Sequence, residues 1–341
     1  MIKTRKSWLI LLMVVVAALA VGCGTATAPT GSGTAPTSKP IKLGFSAWPG
    51  WFPWQVAEDA GIFKQAGVNV ELVWFEGYLD SINALTAGQL DANSQTLNDT
   101  LTSVAAGADQ RVVLVNDNST GNDQIIVDKS ITSVAGLKGK SIGVEAGVVD
   151  HFLLALGLQK AGLKLSDVNI VNLETGAASA AFAAGQMDGV GVFAPFTTQA
   201  LKRSGSYPLL TSKEFPGAIP DHLVVTGTLG KERPADVQKL VDAWFMTVDY
   251  IKANPQKAQA IMAKRAGVSE AEYKEYDAGT TIFSLQQNAS AFEAGNDMTR
   301  LNFAAQEVGK FLLDNKFIEK PLDISQVFDP RFVRAYADKK R

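Results

Sequence analysis

The chain has 341 residues, 46% hydrophobic and 19% charged, which is typical of a globular protein long enough for two domains. Lys and Arg together number 32 and Asp and Glu 34, so there is no basic excess to favour nucleic-acid binding. One cysteine and two histidines exclude an intrachain disulfide and a cysteine-based metal site, and they disfavour zinc hydrolases and Ser-His-Asp enzymes. We therefore expect no catalytic residues, no metal and no cofactor.

The first 22 residues have the composition of an export signal. Cationic residues near the start precede an apolar run, residues 8–21, which is too short to span a membrane comfortably. Small residues then lead to Cys23, and this arrangement resembles a bacterial lipoprotein cleavage site, although Ala20 stands where leucine is commoner. The resemblance implies that residues 1–22 are removed and that Cys23 becomes lipidated. An ordinary secretory signal followed by a chance cysteine is the alternative.

Residues 24–40 contain no large apolar side chain and consist mostly of Gly, Thr, Ala, Ser and Pro. Such a stretch cannot bury enough surface to fold, so residues 23–40 are predicted to be the lipidated cysteine and a flexible tether. A signal, a lipid and a tether together predict an extracytoplasmic protein on the periplasmic side. It would be attached to the cell membrane by its lipid anchor only.

An internal repeat begins at residue 41. The paired segments are 41–45 with 140–144, 65–68 with 159–163, 70–74 with 168–172, and 85–92 with 182–189. Each copy is predicted to form a β-α-β-α-β unit, an alternation that builds a parallel sheet flanked by helices. Two such units place the carboxyl ends of their strands around a shared cleft.

The runs 124–127 and 222–226 are short and rich in β-branched residues, and we interpret them as hinge strands between the two units. Beyond Gly230 the pattern changes to amphipathic helices, the first of which begins at Pro234. We predict an α/β protein with two parallel-sheet lobes and a helical C-terminal region. The first lobe comprises residues 41–125 and 226–341, with the C-terminal helices, and the second comprises residues 126–225.

Four segments carry a family resemblance: residues 60–67, the repeated Ala-Gly-Gln-(Leu/Met)-Asp element within 85–92 and 182–188, and the pair Ala194-Pro195. With the signal and tether, they are similar to the solute-binding lipoproteins of ABC importers, in particular the nitrate/sulfonate/taurine group, over nearly all of residues 41–316. The resemblance implies a two-lobed periplasmic binding protein of type II. It also implies a monomer that captures one small solute and delivers it to an ABC permease and its ATPase.

The loops predicted to line the cleft contain six acidic residues and no Lys or Arg, and the first of them holds three tryptophans. Aromatic faces and carboxylates together suit a small organic cation, and the planar N–H groups of guanidinium can bond carboxylates in pairs. We therefore predict guanidinium as the ligand. The candidate contacts are Trp48, Trp51, Asn98, Asp99, Asp123, Glu145, Asp150, Phe193 and Asp221. Helix capping is the alternative for Glu145 and Asp150. Asp117 lies in the Asn- and Asp-rich segment 116–123 and is predicted to serve a turn.

Other functions stay open at this point. Taurine, another sulfonate or nitrate could be held by helix N-termini without a basic side chain, and the wider family favours such ligands. A ligand-sensing module without transport would have the same sequence features. The fold is also shared, by resemblance, with thiamin-pyrimidine synthases, but this chain lacks their cysteine-rich iron motif.

Overall fold

The structure is a computed structural model that describes residues 39–341. The predicted signal, Cys23 and residues 24–38 of the predicted tether lie outside the described residues, so their assignments stay predictions. Within the described part, no helix combines the length and the hydropathy needed to cross a lipid bilayer.

The first copy of the repeat forms the parallel part of one sheet. Its elements are β1 (Ile41–Phe45), α1 (Pro53–Asp59), α2 (Ile62–Ala66), β2 (Val70–Trp74), α3 (Tyr78–Thr86) and β3 (Ala92–Thr96). Strand β1 pairs in parallel with both β2 and β3. Gly61 and Gly67 have φ of 69° and 70° at the two ends of α2, a left-handed conformation that glycine adopts without steric cost.

The second copy repeats this arrangement. Counted along the chain, its elements are β6 (Ser141–Val144), α5 (Val149–Lys160), β7 (Asn169–Asn172), α6 (Thr175–Ala183) and β8 (Gly189–Phe193). The repeated aspartates play the same part in both copies. Asp91 Oδ2 accepts a hydrogen bond from Lys42 N, and Asp188 Oδ2 accepts one from Ser141 N, each at 2.9 Å. The predicted repeat is confirmed, and these two aspartates hold the start of the first strand of each copy.

The remaining strands complete two mixed sheets. These strands, with the helices beside them, are α4 (Leu97–Ala105), β4 (Gln110–Ser119), β5 (Asp123–Val127), α7 (Phe196–Ala200), β9 (Tyr207–Thr211), β10 (Pro220–Thr226) and β11 (Thr280–Ile282). Among residues 39–341 the strand orders are β11-β4-β10-β3-β1-β2 and β7-β6-β8-β5-β9. In each sheet one strand runs antiparallel between two others, β10 between β3 and β4 and β5 between β8 and β9. The sheets are therefore mixed, whereas the repeat alone predicted parallel ones.

We refer to the elements packed on these sheets as the first lobe and the second lobe. The chain passes from the first sheet to the second through residues 120–122 and returns through residues 212–219. Strand β10 therefore lies in the first sheet, whereas the predicted boundary after residue 225 assigns most of it to the second lobe. The two runs interpreted as hinges are strands inside the sheets. That the lobes move as separate bodies stays a prediction.

The C-terminal region is helical, as predicted. Its helices are α8 (Gly227–Glu232), α9 (Pro234–Ala253), α10 (Pro255–Ala266), α11 (Glu270–Glu275), α12 (Leu285–Ala291), α13 (Leu301–Asp314) and α14 (Arg331–Lys340). Pro234 and Pro255 stand in the first turn of their helices, where the missing N–H costs no intrahelical bond. Helix α9 packs on α1 and α2, with the rings of Trp244 and Trp54 4.7 Å apart. These contacts attach the C-terminal helices to the first lobe.

Candidate ligand-binding site

A small cavity lies between the two lobes. Within the described part of the chain its lining is Trp48, Trp51, Tyr78, Thr96, Asp123, Val149, Phe193 and Asp221. Asp123, Val149 and Phe193 belong to the second lobe, and the others belong to the first. The cavity has a volume of about 10 Å³, roughly the room for one water molecule.

The loop after β1 separates three tryptophans into two environments. Trp51 N and Phe52 N both donate to Trp48 O, at 3.0 and 3.2 Å, so the chain turns back on itself and brings Trp48 and Trp51 to the cavity. Trp54 lies one helical turn farther on and is buried in the first lobe, where its Nε1 donates to Ser94 Oγ at 2.9 Å. The first two indoles are therefore cavity walls and the third is a core residue.

Gly50 makes room for Asp117 beneath this loop. A Cβ placed on Gly50 would lie 1.8 Å from Asp117 Oδ2, so only glycine fits at this close approach. Asp117 Oδ1 accepts a hydrogen bond from Trp48 Nε1 at 2.9 Å. Asp117 thus fixes the orientation of the Trp48 ring from behind the cavity wall.

Four aromatic rings, Trp48, Trp51, Tyr78 and Phe193, form a closed circuit that we call the aromatic box. The centroid distances are 6.5 Å from Trp48 to Trp51, 5.2 Å from Trp51 to Tyr78, 6.2 Å from Tyr78 to Phe193 and 6.3 Å from Phe193 to Trp48. Phe193 comes from the second lobe and the other three rings come from the first. The circuit is therefore complete only while the lobes are in contact.

Two carboxylates line the cavity beside the aromatic box. Asp123 begins β5 in the second lobe and Asp221 lies near the start of β10 in the first, with exposed fractions of 2% and 1%. Asp123 Oδ2 and both carboxylate oxygens of Asp221 lack a hydrogen-bond partner among the described residues. Trp51 Nε1 also lacks a hydrogen-bond partner of normal geometry among the described residues. It lies close enough to Asp221 for its N–H to lower the pKa of that carboxyl group. Buried polar atoms are normally hydrogen-bonded, so these atoms mark where a ligand would be bound.

Asp99 and Asp117 lie behind this lining and, with Asp123 and Asp221, form what we call the carboxylate cluster. Asp99 accepts hydrogen bonds from Thr96 Oγ1 at 2.6 Å and Asn98 Nδ2 at 2.7 Å. Asp117 stands opposite Asp221 in the pairing of β4 with β10. In residues 39–341 no ion pair joins any member of the cluster to Lys, Arg or His.

Burial without a counter-ion raises the pKa of every member of the cluster. The pKa of Asp99 and of Asp123 rises to about 7, chiefly because burial disfavours the charged form. The pKa of Asp117 and of Asp221 rises well above the usual range for the same reason, and the charges of Asp117, Asp123 and Asp99 add to the effect on Asp221. The cluster therefore holds protons near neutral pH unless a cation is bound beside it.

Two predicted contacts lie next to the cavity without lining it. Asp150 accepts hydrogen bonds from Glu145 N at 2.8 Å and His151 N at 3.0 Å, which matches the capping alternative at the start of α5. Glu145 accepts from Leu79 N at 3.4 Å and from Thr175 Oγ1 at 3.0 Å. Because Leu79 is in α3 and Thr175 begins α6, the Glu145 carboxylate joins the two lobes. Burial, as the largest cause, raises the pKa of both carboxyl groups.

The predicted contacts thus separate into two groups. Trp48, Trp51, Asp123, Phe193 and Asp221 line the cavity, and Asn98, Asp99, Glu145 and Asp150 do not. Sequence reasoning missed Tyr78. It did not select Thr96 or Val149 either, although both lie in the strand-to-helix loops, 93–99 and 145–151, that were predicted to line the cleft. Tyr78 follows β2 and opens α3, so the strand-to-helix rule used for the other loops would have found it here. Which of these residues touch a ligand stays a prediction.

A model of the NMT1-like family matches residues 34–267. The chain belongs to the NMT1-like family. This NMT1-like protein is also 26% identical over 294 residues to the taurine-binding periplasmic protein of Escherichia coli, covering 83% of this chain and 89% of the relative. The predicted membership of the nitrate/sulfonate/taurine group is therefore confirmed.

Solved structures share the fold of this NMT1-like protein. The periplasmic aliphatic sulphonate binding protein SsuA from Escherichia coli aligns with a TM-score of 0.71 at 21% identity, over 86% of this chain and 93% of that one. The desulfurization enzyme DSZB aligns with a TM-score of 0.60 at 18% identity, over 88% and 100%. At these identities the likeness shows the two-lobed binding-protein fold alone. Since the fold hosts both binding proteins and an enzyme, the site has to decide the function.

Proposed function

We propose that this protein is the substrate-binding component of an ABC importer and that it captures a small organic cation, with guanidinium as the best fit. The importer role is supported by family membership and by relatives that are named as binding proteins. One observation carries the class of ligand. Asp123 and Asp221 line a buried cavity with three unpartnered carboxylate oxygens, and the described lining includes no Lys, Arg or His.

Charge separates a cation from an oxyanion at this site. A sulfonate or nitrate beside Asp123 and Asp221 would add negative charge where charges interact several-fold more strongly than in water. A cation instead gains charge-assisted hydrogen bonds, each worth about 1.5–3 kcal/mol. Among the described lining residues, an anion would find as unpartnered side-chain donors Trp51 Nε1 and, only while they keep their protons, the carboxyl groups of Asp123 and Asp221. A cation instead bonds the ionised carboxylates, and these charge-assisted contacts are the stronger ones. The balance favours the cation.

Shape narrows the choice of cation. The aromatic box presents ring faces, which attract cations, and the two aspartates present acceptors beside them. Guanidinium is flat and carries N–H groups along its whole rim, so it can bond both carboxylates while its faces lie against rings. An ammonium ion has fewer donors, and it lacks a flat face to stack.

The lobes take part in capture because the lining comes from both. Asp123 and Phe193 belong to the second lobe, and Asp221 and Trp48 belong to the first. A ligand that bonds both aspartates stabilises the arrangement in which the lobes are in contact. This difference in affinity between open and closed arrangements is what a capture protein needs.

Taurine or another sulfonate is the second candidate. It is supported by the names of two similar proteins, the taurine-binding protein and SsuA. Taurine carries an ammonium group as well as a sulfonate, so Asp221 could bond its cationic end. Nitrate in the same role has no cationic group to meet the aspartates.

The ligand class is tested by calorimetry on the mature protein, titrated in turn with guanidinium chloride, taurine and sodium nitrate. We expect guanidinium to bind with micromolar or tighter affinity, and taurine and nitrate to bind at least about 100-fold more weakly. Sodium chloride at the same ionic strength is the control for a salt effect. Tight binding of taurine or nitrate without heat from guanidinium would contradict the cation and leave the importer role intact. Native mass spectrometry of the purified protein identifies any solute carried from the cell.

We also propose that Cys23, outside the described residues, carries the membrane anchor. Cys23→Ser should move the protein from the membrane fraction to the soluble fraction, because two or more acyl chains on one residue give stable attachment and a serine receives none. Immunoblots of separated fractions measure the change, and Thr25→Ser in the tether is the control. Unchanged membrane association of Cys23→Ser would rule out the lipid as the anchor.

A role in transport is distinguished from sensing by uptake. Labelled guanidinium should fail to enter cells that lack this protein, whereas a sensor would leave uptake intact and change only the response to the ligand. We propose no catalytic role. DSZB shares the fold at 18% identity, and that likeness transfers no chemistry.

A further inference from the structure

We infer that the cavity accepts guanidinium without substituents and rejects N-alkyl guanidines, and that Phe193 is the residue that sets this limit. The inference rests on the proposed function, and it names which members of the cation class the site takes. It is carried by the packing of the aromatic box and the positions of the unpartnered acceptors.

The walls of the cavity are held from behind. Asp117 bonds the indole N–H of Trp48, and Thr96 N donates to Tyr78 Oη at 2.9 Å. Phe196 packs against the outer side of Phe193 with ring centroids 5.6 Å apart. Each of these three rings is therefore held by a neighbouring group: the Asp117 carboxylate, the Thr96 backbone N–H and the Phe196 ring. A larger ligand would have to displace a buried side chain together with its support.

The space inside is correspondingly small. The cavity volume is about 10 Å³, and every described lining side chain is buried. Guanidinium, with four non-hydrogen atoms, already requires the walls to move apart. Each further carbon of an alkyl substituent requires a larger displacement of buried side chains.

A substituent also removes a donor. An alkyl group replaces one of the six N–H groups of guanidinium, which reduces the number of orientations in which the cation can bond the three unpartnered oxygens of Asp123 and Asp221. Fewer bonding orientations and an overpacked wall act in the same direction. Both effects are smallest for methylguanidine. Agmatine and arginine, whose chains are longer, cannot be enclosed at all.

Phe193 is the member of the aromatic box whose removal would open a channel. It is the ring supplied by the second lobe, and it closes the circuit between Trp48 and Tyr78. Unlike Trp48 and Tyr78, it makes no side-chain hydrogen bond, so its truncation leaves no polar group exposed. The space released lies next to Phe196, which is half-buried.

The test compares guanidinium, methylguanidine and agmatine by calorimetry on the wild type and on Phe193→Ala. We expect the wild type to prefer guanidinium over methylguanidine by about 10- to 100-fold and to give no heat with agmatine. Phe193→Ala should weaken guanidinium binding by roughly tenfold and bring methylguanidine within about threefold of it. Phe328→Ala is the matched control, because Phe328 packs on Phe292 and does not line the cavity, and it should keep the wild-type ratio.

The outcomes separate this inference from the proposed function. Equal affinity of the wild type for guanidinium and methylguanidine, or an unchanged ratio in Phe193→Ala, would overturn the size limit alone. Absence of heat from all three cations would overturn the proposed ligand and the size limit with it. If Phe193→Ala does not fold, Phe193→Leu reduces the ring with less loss of volume, and the same ratio decides.

Discussion

Asp221→Asn is expected to weaken guanidinium binding by about 100-fold or more, measured by calorimetry near neutral pH. Both carboxylate oxygens of Asp221 lack a partner in the described structure, and the side chain is 1% exposed. The substitution keeps the shape but removes the charge and replaces one acceptor with an NH₂ donor. A planar cation then loses a paired, charge-assisted interaction and meets a donor where it needs an acceptor.

Two comparisons make this result specific. Asp249→Asn changes an exposed aspartate on α9 and should leave the affinity unchanged. Glu145→Gln should have a smaller effect than Asp221→Asn, because the Glu145 carboxylate already bonds Leu79 N and Thr175 Oγ1 outside the lining. Wild-type affinity in Asp221→Asn would show that Asp221 does not bind the ligand. A larger loss in Glu145→Gln than in Asp221→Asn would place the ligand beside Glu145 and not in the cavity. Asp221→Asn should also melt no lower than the wild type, since it relieves repulsion from Asp117, Asp123 and Asp99.

The second large effect is the pH dependence of binding. Guanidinium affinity should fall by up to about tenfold for each unit of pH below 7, because the cation and a proton compete for the same carboxylate. The pKa of Asp123 is about 7 without a cation, and a bound cation favours the charged form and so lowers that pKa. Binding near neutral pH therefore releases a proton. Calorimetry in two buffers with different heats of ionisation counts the protons released.

The raised pKa values of the cluster should make the ligand-free protein less stable as the pH rises, whereas its affinity for guanidinium should increase. The pKa of Asp99 and of Asp123 is raised from 3.8 to about 7 on folding, so between these values the folded chain binds more protons than the unfolded chain. This contribution to stability is fully present below about pH 4 and is lost as the pH rises through 7. The buried His151 and His222 act in the opposite sense below pH 7, because folding lowers their pKa from 6.5 to about 4 and about 3. From about pH 7 to about pH 8 both histidines are largely neutral in the folded and the unfolded chain. Melting temperatures should therefore fall by a few degrees over this range, and guanidinium should reverse the fall.

Asp123→Asn is the matched control for both pH effects. It removes one of the two groups that titrate near 7, so the fall in melting temperature between the two pH values should shrink. The remaining slope belongs to the other buried carboxyl groups whose pKa is raised, which are Asp99, Asp117, Asp150 and Asp221. An affinity that stays constant from about pH 5.5 to about pH 8 would show that no group of the cluster exchanges a proton with the ligand.

The fold was predictable because its signals are local. Strands with buried apolar residues, and glycines such as Gly67 at the ends of helices, recur in both halves and need no long-range information. The acidic composition of the loops was equally visible. All six acids of the predicted loops are buried, and four of them form the carboxylate cluster. What the local pattern does not encode is which side chains face each other across the lobes.

Asp117 illustrates that limit. The Asn- and Asp-rich segment 116–123 predicted a turn, but β4 continues to Ser119 and pairs with β10 and β11. Pairing with strands more than a hundred residues away overrode the local propensity. Glu145 shows the converse case. Its position directly after a buried strand suggested ligand contact, yet its carboxylate bonds Leu79 N in the other lobe, a partner that sequence position cannot reveal.

Strand β10 follows the second lobe along the chain but lies in the first sheet, and this order has a consequence for folding during synthesis. Strand β4 pairs, among the described residues, with β10 and β11 and not with β3, so the first sheet has a gap until residues 220–226 have been synthesised. An N-terminal half emerging from the ribosome therefore cannot complete a stable sheet by itself, in contrast to domains that fold one after another during translation. For a chain with a predicted export signal, an incomplete first sheet keeps much of the polypeptide unfolded while it is still being synthesised. The same strand order that surrounds the cavity with residues from distant parts of the chain would thus favour export before folding is complete.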